Sequence, residues 1–155
     1  MRLEDQIQTS KFHSEWHKSI VNILFTNNWL VKELEQRAGR LHITLQQYNA
    51  LRILRGQYPN PASNMLIKQR MISAMPDISR LIDRLICKDL VSRTQNEKDK
   101  RSVNLIITKK GLELLEELET DMMLHDVLLE NLTEEEATTL NNLLDKLRGK
   151  EKVSL

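Results

Sequence analysis

Polar and cationic side chains recur at spacings of three and four residues between Met75 and Lys88, a segment whose apolar residues follow the same helical period. One face of such a helix packs in a core, and the other face is offered to solvent. Arginine can read guanine through two parallel hydrogen bonds, and serine can donate to a base or a phosphate. The segment therefore has the division of faces that a DNA recognition helix needs, although an ordinary amphipathic surface helix has it too. The polar candidates are Asp77, Ser79, Arg80 and Arg84.

A second group of candidates lies on a charged loop, residues 96–102, between two predicted strands, Val91–Gln95 and Val103–Thr108. Cationic side chains on a protruding loop suit phosphates and the narrow minor groove, where the potential is most negative. A solvated turn is the alternative. Asp99 is close enough in sequence to Arg101 to hold its guanidinium by charge-assisted hydrogen bonds. The cationic candidates of this loop are Lys98, Lys100 and Arg101.

The positive charge of the chain is concentrated around these candidates. The net charge is only +1, but residues 63–110 hold eleven Lys or Arg and five Asp or Glu, a local charge of +6. Residues 111–136 hold ten acids and no Lys or Arg. A basic middle beside acidic segments is typical of nucleic-acid binding, and an uneven solvated surface is the alternative. A short helix predicted over Met65–Met71 adds three candidate phosphate contacts. They are Lys68, Gln69 and Arg70.

Periodicity and capping residues predict the elements that position these side chains. A helix is expected over Lys11–Ala38 with Gly39 as its stop, and Thr44 with Gln47 has the capping-box spacing that starts a second helix. A single long helix is expected from Thr108 through Leu129, and Thr133 with Glu136 has the capping-box spacing that starts a last helix. The predicted fold class is mainly α with a small β hairpin, in the order of a winged helix-turn-helix domain flanked by helices.

Four motifs follow one another in the middle of the chain. They are ISRLIDRL at 78–85, KDLVSR at 88–93, DKRS at 99–102 and LIITKKG at 105–111. With the order of helices over nearly the whole chain, they resemble the MarR family of bacterial winged-helix transcriptional regulators.

The resemblance implies a single MarR-like domain over residues 1–155. Its dimerisation helices would lie in residues 11–43 and 112–150, and its winged helix-turn-helix in residues 44–111. The recognition helix would span 75–88 and the wing 96–102. The outer helices also carry more Leu, Ile and Trp than one small domain can cover, which independently favours a homodimer.

The resemblance also implies a near-palindromic double-stranded operator, with Ser79, Arg80 and Arg84 facing the major groove and Arg101 entering the minor groove. Proteins of this family are mostly repressors, often released by a small ligand or by oxidation. Two positions depart from the usual pattern. Asp89 stands where a helix-ending glycine is common, and Pro76 stands where a small hydroxyl residue is common.

Sensor residues are weakly indicated. Cys87 is expected to be a small buried side chain, and an exposed thiolate near Arg84 and Lys88 is the alternative. His13 and His17 have the spacing of metal ligands on one helix face, but plain surface histidines are expected there, and no metal or cofactor is predicted. The resemblance implies an effector pocket between the dimerisation and DNA-binding parts, although the core is the expected place for its candidates. They are Trp16, Trp29 and Tyr48.

Composition excludes several classes of protein. The 155 residues suit about one domain, and a single cysteine excludes an intrachain disulfide. The polar N-terminus and the lack of a long apolar run favour a cytoplasmic protein with no membrane partner. No Gly-rich phosphate loop or nucleophile motif is present, so an enzyme is not expected. The sequence predicts a sequence-specific DNA-binding transcriptional regulator; a winged-helix protein–protein adaptor without specific DNA binding is the alternative.

Overall fold

The computed structural model describes residues 2–8, 11–73, 77–96 and 103–149. Eight helices and two strands follow one another along these residues. They are α1 (Leu3–Ile7), α2 (Glu15–Arg40), α3 (Leu45–Gln57), α4 (Asn64–Arg70), α5 (Ile78–Cys87), β1 (Val91–Gln95), β2 (Val103–Ile107), α6 (Lys109–Met122), α7 (His125–Asn131) and α8 (Glu134–Arg148). The mainly helical fold with one small hairpin confirms the predicted class.

The chain divides into two compact units, residues 1–122 and 123–155. The first unit contains α1 to α6 and the hairpin. The strands pair antiparallel, with Val91 opposite Ile107 at the base and Gln95 opposite Val103 toward the loop. Ala62, just before α4, exchanges two backbone hydrogen bonds of 2.9 Å with Leu105 and so extends the hairpin by one bridge.

Apolar side chains from α3, α4, α5, the hairpin and α6 form one buried core in this unit. Burying a leucine or isoleucine side chain contributes roughly 1.5–3 kcal/mol, so these contacts dominate the stability of the unit. The largest fully buried side chains are Leu51, Leu54, Ile67, Ile82, Leu85, Leu90, Leu105, Ile107, Leu115 and Leu118.

A close backbone approach joins the start of α6 to the base of the hairpin. The Thr108 amide donates to Leu90 O at 3.0 Å, and the Thr108 hydroxyl accepts from the Gly111 amide at 3.1 Å. A Cβ atom on Gly111 would lie 2.4 Å from Leu90 O and 2.7 Å from Cγ1 of Ile107. Only glycine fits at this contact, because no real Cβ atom approaches a backbone oxygen so closely.

Two of the predicted helix boundaries are wrong. Helix α2 begins at Glu15, where Ser14 caps it, and runs through Gly39 to Arg40, because the basic side chains of its last turn are anchored on α6. Arg37 donates to Asp121 O at 2.9 Å, and Arg40 pairs with the Asp121 carboxylate at 2.8 Å.

The helix expected from Thr108 through Leu129 is also wrong. It is broken into α6 and α7 at Leu124, which has the left-handed φ of 52° that a continuous helix cannot contain. Helix α1 was not expected from the sequence. The observed α5 begins at Ile78, and Met75 and Pro76 lie outside the described residues.

The second unit contains α7 and α8. Thr133 and Glu136 form the capping box that starts α8, with hydrogen bonds of 3.2 Å and 2.9 Å. None of the fifteen residues of α8 is buried, and three leucines at helical spacing are exposed. They are Leu140, Leu143 and Leu147. Among the described residues, no helix is both long and apolar enough to cross a membrane.

Candidate nucleic-acid interface

Helix α5 has the two faces that the sequence predicted. One face carries the buried side chains Ile78, Leu81, Ile82 and Leu85, which pack in the core of the first unit. Because the core fixes this face, the opposite face has a defined direction and stays accessible. The exposed residues of α5 are Ser79, Arg80, Asp83, Arg84 and Cys87.

Asp77 caps the N-terminus of α5 and also contacts the side chain of Arg80, another predicted DNA contact. Its Oδ1 accepts from the Arg80 amide at 3.0 Å, which satisfies one of the free donors of the first turn. Its Oδ2 forms an ion pair with Arg80 Nε, 3.1 Å away. Both carboxylate oxygens of Asp77, itself a predicted DNA contact, therefore interact with Arg80.

An ion pair links α5 to the first strand of the hairpin. Arg93 on β1 and Asp83 on α5 form an ion pair of 2.9 Å, and both side chains are about half exposed. This contact joins the candidate recognition helix to the strand that leads into the wing. Sequence reasoning assigned no role to either residue, although both lie in the motifs quoted above; their opposite charges on neighbouring elements are the signal that was available.

The C-terminal end of α5 is held by a complete Schellman motif. The Leu90 amide donates to Leu85 O at 3.0 Å and the Asp89 amide donates to Ile86 O at 2.9 Å, while Asp89 has a φ of 59°. Aspartate therefore takes the left-handed position in place of the usual glycine. Lys110 Nζ donates to Lys88 O at 2.9 Å, which adds a cation at the negative end of the helix dipole.

The short helix α4 presents its three predicted phosphate contacts to solvent. Lys68, Gln69 and Arg70 are all exposed, while Ile67 is buried in the core beneath them. The turn after α4 is tied to α3, because the Ile72 amide donates to Asn49 Oδ1 at 3.0 Å. Helix α4 thus has a fixed attachment and an accessible polar face.

A cleft of about 280 Å³ lies between the start of α3 and α5. Cationic and polar side chains form most of its wall. The lining residues are Thr44, Gln46, Gln47, Asp77, Arg80, Leu81 and Arg84.

The predicted wing residues Lys98, Asp99, Lys100 and Arg101 lie outside the described residues. The strands on either side of them are described, and their last pair is Gln95 with Val103. The position of this loop between paired antiparallel strands agrees with the predicted hairpin.

The expectation that Cys87 is buried is wrong. The thiol is exposed, because residue 87 is three positions after Arg84 and seven after Arg80 and so shares their face of α5. The buried stripe of α5 lies on the other side of the helix.

The three aromatic candidates for an effector pocket have different surroundings. Trp16 is 81% exposed, so the expectation that it belongs to the core is wrong. Trp29 and Tyr48 are half-buried, and partial burial raises the pKa of the Tyr48 hydroxyl. None of the three lines the cleft between α3 and α5.

The histidine pair at the start of α2 lies at the surface. His13 and His17 are exposed, and the His13 amide donates to His17 Nδ1 at 3.4 Å. Within the described part of the chain, no three or more His, Cys, Asp or Glu side chains come together in a way that could hold a metal ion.

Comparison with known proteins shows which family the chain resembles. A family model described as "MarR family" matches residues 43–103, which run from just before α3 to the start of β2. The chain is 39% identical over 72 residues to the multiple antibiotic resistance protein MarR of Escherichia coli. That alignment covers 45% of this chain, and the chain spans about half the length of the curated relatives it matches.

Solved structures match over more of the chain. A MarR transcription factor from Planctomyces limnophilus is 32% identical, with a TM-score of 0.67 over 86% of this chain and 98% of that protein. A MarR variant from E. coli, solved in complex with operator DNA, is 27% identical, with a TM-score of 0.74 over 89% of this chain and 99% of that one. The fold, the matched segment and these relatives agree with the resemblance seen in the sequence, and the chain belongs to the MarR family of winged-helix transcriptional regulators.

Proposed function

We propose that this protein is a sequence-specific DNA-binding regulator that acts as a homodimer on a near-palindromic operator. The observation that carries the proposal is the exposed polar face of α5, which is anchored from behind by four buried side chains. A recognition helix needs this arrangement because its outward side chains must enter the major groove without moving the core. The E. coli relative solved with operator DNA has the same overall fold, which supports the proposal.

The proposed contacts divide by the part of DNA that they reach. Ser79, Arg80 and Arg84 would face base edges in the major groove. Exposed side chains on α4 would contact phosphates, which position the protein without reading sequence. Lys98, Lys100 and Arg101 on the wing would enter or flank the minor groove, with Asp99 orienting Arg101. The α4 contacts are Lys68, Gln69 and Arg70.

The homodimer is proposed because each compact unit has an apolar face that its own residues leave exposed. On α2, Trp16, Ile20 and Leu24 are more than half exposed, and they recur every four residues. On α8, Leu143 and Leu147 are also more than half exposed. A second copy would cover these faces, and a twofold dimer would place its recognition helices roughly 34–36 Å apart, one turn of the duplex.

The oligomeric state has a direct test. Sedimentation of the parent protein should give a dimer, and the double variant Leu143→Glu with Leu147→Glu should give a folded monomer, because two charges would be buried in the interface. The matched control is Glu134→Gln with Glu135→Gln, which changes two exposed side chains of the same helix. A parent protein that stays monomeric at micromolar concentration would contradict the dimer.

We propose further that the protein represses transcription in the cytoplasm and is released by a small ligand or by oxidation. This part follows from the family resemblance. Half-buried Trp29 and Tyr48 are the candidates for ligand contacts, with Trp16 as the exposed third member. Cys87 is the candidate for oxidation, because an exposed thiol on the DNA-facing side of α5 would carry a new group toward the duplex.

The release proposal is tested on operator DNA. Peroxide should weaken binding by the parent protein and leave Cys87→Ser unaffected. A ligand found by screening should lose its effect in Trp29→Phe or Tyr48→Phe. If peroxide acts equally on the parent and on Cys87→Ser, the thiol is not the sensor.

The experiment that tests the function as a whole is selection of genomic fragments by the purified protein at about 0.15 M salt, read by sequencing. An enriched palindrome with half-sites one helical turn apart is expected. No enrichment over bulk DNA, with and without cell extract, would overturn the proposal and leave the protein–protein adaptor.

Two variants then test the placement of the helix and the wing. Arg101→Ala should weaken binding to most duplexes and flatten the dependence of affinity on salt, because a phosphate-region contact is lost. Arg80→Ala should relax the preference among sequences. If both variants bind operator DNA like the parent protein, the proposed interface is wrong.

A further inference from the structure

We propose that Asp77 is a positioning residue that selects which edge of the Arg80 guanidinium faces the DNA. The inference rests on the proposed function, in which Arg80 reads a base. It assigns to Asp77 an indirect role in sequence preference, exerted through Arg80, in place of a direct contact with the duplex.

The contact is organised before DNA arrives. The backbone of Asp77 lies at the N-cap of α5, and its Oδ1 is already held by the Arg80 amide at 3.0 Å. The remaining oxygen, Oδ2, is then directed at Nε of the same arginine, 3.1 Å away. An exposed ion pair is ordinarily weak because two long side chains must be ordered. Here the cap has already ordered the carboxylate, so only the arginine side chain needs to be fixed.

Capping alone does not require a carboxylate at this position. Five other helices of the described chain begin with a hydroxyl cap that accepts from the amide three residues later, as Asp77 does. A serine or threonine hydroxyl satisfies that amide equally well. What aspartate adds is a second acceptor. The hydroxyl caps are Ser14, Thr44, Ser63, Thr108 and Thr133.

The engaged nitrogen determines which donors of Arg80 are left. A guanidinium can make a bidentate contact through its two terminal nitrogens, or through Nε and one terminal nitrogen. With Nε paired to the Asp77 carboxylate, the terminal edge remains, and two parallel donors on that edge match O6 and N7 of guanine. Arg80 is therefore held for end-on reading of a guanine.

The same pair discourages nonspecific contacts by Arg80. The Asp77 carboxylate offsets the arginine charge and repels phosphate oxygens, so Arg80 should contribute little to counterion release on random DNA. The pair would therefore raise specificity in two ways, because it favours the guanine contact and weakens the competing phosphate contact.

The test compares Asp77→Ser with Asp77→Asn. Both variants remove one negative charge and keep an N-cap acceptor for the Arg80 amide. Neither variant keeps the second acceptor, because the single oxygen of serine or asparagine is used by the cap and the asparagine NH2 group is a donor. The measurements are the Kd for the operator selected by the parent protein, the Kd for the same operator with its contacted guanine replaced, the Kd for random duplex, and the salt slope of random binding.

We expect Asp77→Ser to reduce the preference for the guanine roughly tenfold, the order of one bidentate base contact. Asp77→Asn should reduce it by a similar factor, because asparagine also lacks the second acceptor. Both variants should bind random duplex more tightly, with a salt slope steeper by about one, because Arg80 becomes free to contact phosphate. In an Arg80→Ala background, the serine substitution should not change the guanine preference.

Three outcomes would overturn the inference. One is an unchanged guanine preference in Asp77→Ser. Another is a loss of affinity by the same factor for the operator and for random duplex, which would mean that Asp77 only caps α5. The third is an Asp77→Asn protein that binds random duplex no more tightly than the parent, which decides the question even if the serine variant fails to fold. A parent protein that selects no operator at all would instead refute the proposed function, and this inference with it.

Discussion

Helices α5 and α8 have similar amphipathic patterns but different surroundings. Four of the ten residues of α5 are buried, and they pack against α3, α4 and the hairpin of the same unit. Helix α8 has fifteen residues and an equally regular row of leucines, yet none of its residues is buried. Periodicity therefore identifies the apolar face of a helix but does not say whether the same chain covers it. A helix stripe left uncovered is typical of an interface.

The largest expected effect separates these two helices. Leu85→Ala should lower the free energy of unfolding by about 3 kcal/mol, because Leu85 is fully buried on α5 and a cavity would remain. Leu143→Ala should lower it by less than about 0.5 kcal/mol in dilute protein, since the side chain is 57% exposed on α8. Urea denaturation at several protein concentrations measures both. Equal losses of stability in the two variants at the lowest protein concentration would contradict the difference in burial between α5 and α8.

The next effect tests how tightly the first unit is packed. Gly111→Ala should cost about 2 kcal/mol, because the added methyl group would overlap Leu90 O and the Ile107 side chain. The matched control is Gly39→Ala on α2, where an added Cβ meets nothing within 4 Å. The control should gain up to about 1 kcal/mol, since alanine is the better helix former. Thermal melting of the two variants checks the signs, and a neutral Gly111→Ala would show that the hairpin base can relax.

Features that depend on neighbours in sequence were predicted well. The capping boxes at Thr44 and Thr133 form as expected, and β1 has the predicted bounds, because the responsible residues are only a few positions apart. The apolar face of α5 was also predicted, since the spacing of its residues alone defines a face.

Features that depend on distant residues were missed. Helix α2 passes through Gly39 because Arg37 and Arg40 are anchored on Asp121, eighty residues away. The break at Leu124 has no glycine or proline to mark it.

Two exposures also differ from expectation, for different reasons. Cysteine is generally buried, but the spacing of Cys87 from Arg80 and Arg84 places it on their exposed face of α5. Trp16 lies on the apolar row of α2, as its spacing predicts. No other described part of the chain covers it, and the same is true of the leucines of α8.

A smaller effect concerns the contact between α5 and the hairpin. Asp83→Asn or Arg93→Gln should change stability by less than about 1 kcal/mol, because the ion pair is about half exposed. Operator affinity should fall more, roughly threefold to tenfold, because the pair fixes the helix relative to the strand that leads to the wing. A double-mutant cycle of the operator Kd measures the coupling. Additive single effects would show that Arg93 and Asp83 act independently.

The smallest expected effect concerns α1, a short helix that is held by few contacts. Leu3 is buried, and the Glu4 carboxylate accepts from Lys18 Nζ on α2 at 2.5 Å, which lowers the pKa of Glu4 below its ordinary value of 4.5. Because the folded form has the lower pKa, the contact contributes fully above pH 4.5 and is lost as the pH falls through the lowered value. Proteolysis within α1 should therefore accelerate on acidification in the parent protein.

The Glu4→Gln variant should be cleaved at a rate that depends little on pH over the same interval, because no carboxylate remains to be protonated at position 4. Asp5→Asn is the matched control, since Asp5 is an exposed acid of the same helix and should retain the pH response of the parent. If Asp5→Asn abolishes the response as fully as Glu4→Gln, the general charge of α1, and not the pair with Lys18, holds the helix in place. The apolar contact of Leu3 would then be the attachment that remains, and α1 would resemble α5 in being held by burial, on a smaller scale.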